Sequence, residues 1–205
     1  MGILEDKRRA RLFYRFLSPL YDYINPFVWT EDMRASALEL TDIDAGDRVL
    51  DVGCGTGFGT AGVLERTDEV VGVDQSPSQL GRAQRKLGAT TAQFCLGDAE
   101  RLPFPTETFD HVWSSGSIEY WPRPIQTIAE LRRVCRPGGT VLVVGPNEPS
   151  SRIFRSLADR IMLFYDEEEA DRMFREAGFA DIEHHVMGPS YQPEIAVTTI
   201  ARVPT

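Results

Sequence analysis

The sequence predicts an α/β fold, a mostly parallel sheet with helices on both faces, and three observations carry that prediction. A short apolar strand, Arg48 to Val52, runs directly into glycines at alternate positions, Gly53, Gly55 and Gly57. From Asp47 onward, strand-like and helix-like stretches alternate, the pattern left by crossover connections between parallel strands. A chain of 205 residues with 42% hydrophobic content is long enough for one domain with a full core.

The elements follow from local signals. Strands are expected near 47–52, 69–73, 92–96, 108–114 and 139–145, with helices near 57–66, 77–87 and 123–135 between them. Ser76-Pro77 supplies an N-cap followed by proline at the first helical position. Arg136-Pro137-Gly138-Gly139 is expected to stop the helix before it and turn into a buried strand, Thr140 to Gly145. A helix near 166–177 ends at Gly178, and strands near 180–187 and 195–203 form a hairpin-like close, seven strands in all. Residues 1–40 differ in kind and are set apart as an N-terminal helical lid and substrate segment, with 41–205 as the main domain. There Lys7, Arg8, Arg9, Arg11 and Arg15 interleave with Leu12, Phe13, Tyr14, Phe16, Leu17 and Leu20. That pattern makes a basic amphipathic helix, expected mainly to pack its apolar face on the domain, with peripheral contact to an anionic membrane as a further role.

Composition narrows the class. No run of 18 apolar residues exists, and the basic N-terminus is followed by no sustained apolar stretch, so neither a membrane span nor a signal peptide is expected. Cys54, Cys95 and Cys135 lie far apart, without metal or disulfide spacing, so no metal is expected and the reading is a reduced, cytoplasmic protein. A net charge of −9 argues against nucleic acid held through its phosphates. Only Lys7 and Lys86 among the 22 basic residues are lysines. That bias fits a salt-accumulating halophile and an arginine-rich ordinary protein about equally.

The glycine run points to a ligand. Glycines after a first strand let the backbone turn and let a ligand lie against main-chain atoms. A dinucleotide fingerprint would need a third glycine at position 58, which is Phe58, so no pyrophosphate cradle is indicated. Asp51, two residues before Gly53, would repel a pyrophosphate and attract a cationic ligand. Asp74, closing the second strand, is placed to accept from both hydroxyls of a ribose. After the third strand, Asp98 can accept from an adenine amino group and the Ala99 amide can donate to a ring nitrogen, while Glu100 is expected to be solvated. The fourth strand delivers Ser114-Ser115-Gly116-Ser117-Ile118-Glu119-Tyr120-Trp121-Pro122. A carboxylate and two aromatics there suit a flat hydroxylated acceptor, or else pack the loop and cap a turn. His111 is expected to be structural. His184 and His185, adjacent on a strand, face opposite sides and cannot chelate.

Asp51-x-Gly53-x-Gly55-x-Gly57 resembles the first motif of class I S-adenosylmethionine-dependent methyltransferases. Over roughly residues 11–189 the chain resembles, more narrowly, the 2-methyl-6-phytyl-1,4-hydroquinone and solanesyl-homologue methyltransferases. The runs that carry this include Phe13-Tyr14-Arg15-Phe16-Leu17-Ser18, Tyr21-Asp22, Trp29-Thr30-Glu31-Asp32-Met33-Arg34, Asp74-Gln75-Ser76-Pro77, Gly97-Asp98-Ala99-Glu100 and Gly116 to Pro122. The resemblance implies the strand order of a seven-stranded Rossmann-like methyltransferase sheet. It implies S-adenosylmethionine as cofactor, with Gln75 and Ser115 joining the residues above in its pocket. It also implies methylation of a ring carbon of a lipophilic, prenylated quinol. Glu119 is then the candidate base, Tyr120 its neighbour in the reaction, and Tyr14, Tyr21, Trp29 and Trp121 the acceptor-facing residues. The plastid enzymes carry a transit peptide and a C-terminal anchor, neither of which is expected here. Alternatives are a demethylated menaquinol as acceptor, O- or N-methylation of a small metabolite, and a non-catalytic binding protein of the same fold.

Overall fold

The computed structural model describes residues 30–147, 165–189, 191 and 193–205. The expected basic helix, with Tyr14, Tyr21 and Trp29, lies outside the described residues. The elements, in chain order, are α1 (Glu31–Leu38), β1 (Val49–Val52), α2 (Phe58–Val63), β2 (Val70–Asp74), α3 (Pro77–Leu87) and β3 (Gln93–Leu96). β4 (Phe109–Ser115), a 3-10 turn (Ile118–Tyr120), α4 (Pro124–Val134) and β5 (Cys135–Pro146) follow. α5 (Glu167–Glu176), β6 (Asp181–Met187) and β7 (Ala196–Arg202) complete the fold.

The seven strands form one sheet in the order β3-β2-β1-β4-β5-β7-β6. β1 to β5 run parallel, and β7 enters antiparallel between β5 and β6, so the last two strands pair as expected. Side-chain alternation builds a core on each face. Leu50, Val52, Val141 and Val143 turn toward Ile128, Leu131 and Val134 of α4 and Met173 and Phe174 of α5. Val49, Leu142 and Val144 turn the other way, with Trp113, onto Met33, Ala37 and Leu38 of α1 and Val63 of α2. The helix α1, which falls inside the 1–40 segment, is therefore part of this second core. Among the described residues no helix is long and apolar enough to cross a membrane.

Helix ends obey the local chemistry. Ser76 caps α3 by accepting from the Gln79 amide, with Pro77 as the first helical residue. Asp166 caps α5 through the Glu169 amide, and three glutamates occupy its first turn, next to the positive end of the helix dipole. At the other end Gly178 adopts φ +94°, its amide bonds to Arg175 O, and the Phe179 amide bonds to Phe174 O. That paired closure needs a left-handed residue, which glycine supplies without a Cβ clash.

One boundary differs from expectation. Arg136-Pro137-Gly138-Gly139 lies inside β5, which begins at Cys135, where it makes an irregularity between the Phe109–Cys135 and His111–Thr140 pairings. The run bends the strand within the sheet and does not precede it, because β4 offers a continuing partner on both sides of the bulge. A Cβ on Gly139 would collide with the Asp110 carbonyl.

Candidate active site

β1 is flanked by β2 on one side and β4 on the other, so the direction of strand succession reverses there. In open parallel sheets, the crevice at such a reversal, outside the carboxyl ends of the strands, is where ligands bind. Into this crevice β1 delivers Gly53, Gly55 and Gly57, all at positive φ, β2 delivers Asp74, the turn after β3 delivers Asp98 and Ala99, and β4 delivers Ser115.

The glycine loop is braced from two directions. The Gly53 and Cys54 amides donate to Val73 O, at 2.8 and 3.1 Å. The Gly55 amide donates to Asp74 Oδ2 at 2.9 Å, while Asp74 Oδ1 accepts from the Ser76 amide at 2.8 Å. These main-chain donors orient the Asp74 carboxylate toward the crevice. Burial raises its pKa against the pull of those amides. A Cβ built on Gly55 would approach only Gly53 O, at 4.0 Å, so the loop presents bare backbone at that position. Gly53 has the opposite reason for being glycine: a Cβ there would strike the Ser117 side chain.

Asp51 lies beneath the loop, 1% exposed, and accepts from the Thr60 hydroxyl at 2.6 Å. Burial first, opposed by the Thr60 hydrogen bonds and reinforced by the charge of Asp74, pushes its carboxyl up to about 7. Trp113 and Asp51 both abut Gly59, whose missing Cβ leaves room for them, and the Trp113 indole donates to Ser115 Oγ at 3.2 Å. Gln75 is exposed at the rim, and Ala99 is half-buried.

The turn after β4 is fastened to the same loop. Ser114 and Ser117 exchange a hydrogen bond of 2.9 Å, and the Ser114 hydroxyl donates to Val52 O at 2.9 Å. Glu119 follows in the 3-10 turn, enclosed at 4% exposure, with Tyr120 half-buried beside it. Trp121 is a core residue, clustered with Leu102 and Ile128 under the turn.

Glu100 corrects an expectation. It is not solvated: at 6% exposure its carboxylate receives Nε and Nη2 of Arg123, at 3.3 and 2.7 Å. The partner lies 23 residues away, on the loop that follows Pro122, so the turn bearing Asp98 is tied to the turn bearing Glu119. Besides Arg123, Thr60, Trp113, Ser117 and Tyr165 escaped the sequence reading. Only Thr60 carried a usable signal, since the first turn of a helix leaving a glycine loop faces the strand that feeds it. His111 sits near the start of the central strand β4, at the end of the sheet away from the crevice, bonded to Thr140 Oγ1 at 2.6 Å and Asp47 Oδ2 at 3.2 Å, in keeping with a structural role.

The donor set suits a nucleoside that carries positive charge. Asp51, Asp74 and Asp98 would repel a pyrophosphate, whereas hydroxyls, an amino group and a sulfonium each find an acceptor. Residues 50–143 match the family described as a methyltransferase domain. In its sheet the chain has the fold of the class I S-adenosylmethionine-dependent methyltransferases. It is 48% identical, over 192 residues, to 2-methyl-6-phytyl-1,4-hydroquinone methyltransferase 2 of Oryza sativa subsp. japonica, across 92% of this chain and 55% of that one. It is 26% identical to the demethylmenaquinone methyltransferase of Staphylococcus saprophyticus, across 86% of this chain and 90% of that one. The fold matches Haemonchus contortus phosphoethanolamine N-methyltransferase 2 in complex with S-adenosylmethionine, with a TM-score of 0.73 at 19% identity, across 85% of this chain and 53% of that one. The chain spans little more than half, 55–58%, of the length of the phytyl-hydroquinone relatives. Those relatives are chloroplast enzymes by name, which overturns the cytoplasmic location read from composition. Charge and cysteine spacing report redox state and solubility, not a compartment.

Proposed function

We propose that the chain methylates a ring carbon of a prenylated hydroquinone, using S-adenosylmethionine. The observation that carries the cofactor side is Asp74, its carboxylate aimed across the glycine loop by the Gly55 and Ser76 amides. The 48% identity to a phytyl-hydroquinone methyltransferase supports the acceptor class. S-adenosylmethionine, when bound, supplies a methyl group activated by a sulfonium.

Asp74 holds the ribose hydroxyls, and Asp98 with the Ala99 amide holds the adenine. The bare backbone of Gly53, Gly55 and Gly57 lies along the cofactor, with Asp51 below, Gln75 at the rim and Ser115 at the end of β4. Glu119 accepts the proton of the ring hydroxyl, whose pKa is about 10 by analogy with tyrosine. The phenolate then makes the neighbouring ring carbon nucleophilic. As the new carbon–carbon bond forms at the expense of the donor's sulfur–methyl bond, the ring proton passes to solvent and Glu119 returns its proton to the ring oxygen, so aromaticity returns and one turnover releases one proton. A placed base contributes about 10²–10⁴-fold, and holding the ring in line supplies the rest. Tyr120, Tyr14, Tyr21 and Trp29 orient the ring and its tail, while Trp121, packed in the core, supports the turn from beneath and does not face the acceptor as the sequence suggested.

The test is turnover with methyl-labelled cofactor and micellar quinols. Label on a ring carbon of 2-methyl-6-phytyl-1,4-hydroquinone is the expected outcome. Ring methylation of demethylmenaquinol alone would reassign the acceptor, and label on oxygen, or none, would reject C-methylation. In calorimetry, Asp74→Asn should weaken S-adenosylhomocysteine about 10–100-fold, the worth of a hydrogen bond to a charged group. Equal affinity would remove Asp74 from the ribose site.

A further inference from the structure

Tyr165 is 1% exposed, yet its hydroxyl has no hydrogen-bond partner among the described residues. A buried polar group left so costs stability, and such groups recur where a functional partner is engaged. Its backbone position is secured: the Tyr165 amide donates to Pro146 O, and a bridge to Asn147 sets it beside the end of β5. The ring reaches back over Gly145. A Cβ on Gly145 would lie 2.5 Å from the Tyr165 hydroxyl and would also strike Ile118, which shows how closely hydroxyl, β5 and the 3-10 turn converge. Glu119 follows Ile118 in that turn and is itself enclosed. Burial first, and the negative charge of Glu119 second, push the Tyr165 phenol well above the ordinary tyrosine range. The hydroxyl therefore keeps its proton and can only be a donor toward a carboxylate.

We propose that Tyr165 is a positioning residue whose hydroxyl, unmet among the described residues, donates to the Glu119 carboxylate once the cofactor pocket is filled and so fixes the direction in which that base meets the acceptor. This rests on the function proposed above. A phenol suits the task because its rigid ring leaves the hydroxyl little freedom once the ring is packed, whereas a serine or lysine donor would have to be ordered. Gly145 belongs to the same device, since any side chain there would take the hydroxyl's place.

Tyr165→Phe keeps the ring volume and removes only the donor. In the full chain the expected result is a kcat lowered about 10- to 100-fold, the range for one hydrogen bond to a charged group. KM for the quinol and affinity for S-adenosylhomocysteine should change little, and Tm should stay level or rise, because an unmet hydroxyl has been deleted. Infrared difference spectra of the S-adenosylhomocysteine complex give a second readout that needs no turnover. The carboxyl band of Glu119, assigned by its loss in Glu119→Gln, should shift in Tyr165→Phe. An unmoved band overturns the proposal, as does an unchanged kcat, or a Tm that falls together with kcat. A wild-type chain inactive on every quinol would reject the reaction and leave the band shift to judge the contact itself.

Discussion

Asp51 shows how one side chain can carry both stability and ligand choice. Without a cation nearby, burial holds its carboxyl at about 7 against an ordinary 3.8. The folded state then binds the proton more tightly than the unfolded state, so this contribution to stability is complete below about pH 4. It is lost as pH rises through about 7, a change on the order of a few kcal/mol. Thermal melts from pH 4 to 8 should show the wild type losing more Tm than Asp51→Asn; parallel curves would show that Asp51 is not the titrating group. The same residue should select charge in the ligand. A sulfonium favours the ionised carboxylate, so affinity for S-adenosylmethionine should rise up to about tenfold between pH 6 and 8. S-adenosylhomocysteine, whose sulfur is neutral, should gain less, and equal gains in calorimetry would place the sulfur away from Asp51.

At the scale of the element, α5 and its closure illustrate how a helix is ended by backbone geometry. Three glutamates and the Asp166 cap favour its start, and the Gly178 turn with the Phe174–Phe179 ring contact, 5.5 Å between centroids, seals its end. Gly178→Ala must place a Cβ at φ +94°. The expected cost is about 1–2 kcal/mol, or a Tm lower by a few degrees, with cofactor affinity unchanged. A Tm equal to wild type would mean that the turn relaxes freely. The strand-to-turn segment after β4 is the functional counterpart. Its serines bond to Val52 O, Ser117 fills the space beside Gly53, and Arg123 clasps Glu100, so the acceptor side of the crevice is built on the cofactor side. Movement in one turn must be felt by the other, because the contacts are side chains of one on the backbone or buried charge of its neighbour.

For the whole molecule, 31 acidic residues against 22 basic ones set up net self-repulsion. Raising KCl from 0.1 to 1 M shortens the screening length from about 10 to about 3 Å, and Tm should rise. A flat response would show that the acidic groups are already compensated locally, as in the Arg136–Asp110 and Arg202–Asp42 pairs. Strand and helix positions, the glycine elbow and the final antiparallel pair could all be read along the chain, because alternation, capping and positive-φ glycines act over a few residues. The bulge within β5 could not, since Arg136-Pro137-Gly138-Gly139 looks like a terminator until β4 is seen to run beside it. Nor could Glu100 be recognised as buried, because Arg123 reaches it only when two loops 23 residues apart meet over neighbouring strands. Tyr165 lies 46 residues from Glu119, and nothing local distinguishes it from an ordinary core tyrosine. Short-range stereochemistry wrote the elements and the outline of the pocket into the chain; long-range packing alone chose which charges are enclosed, which hydroxyl faces which carboxylate, and therefore how the crevice can work.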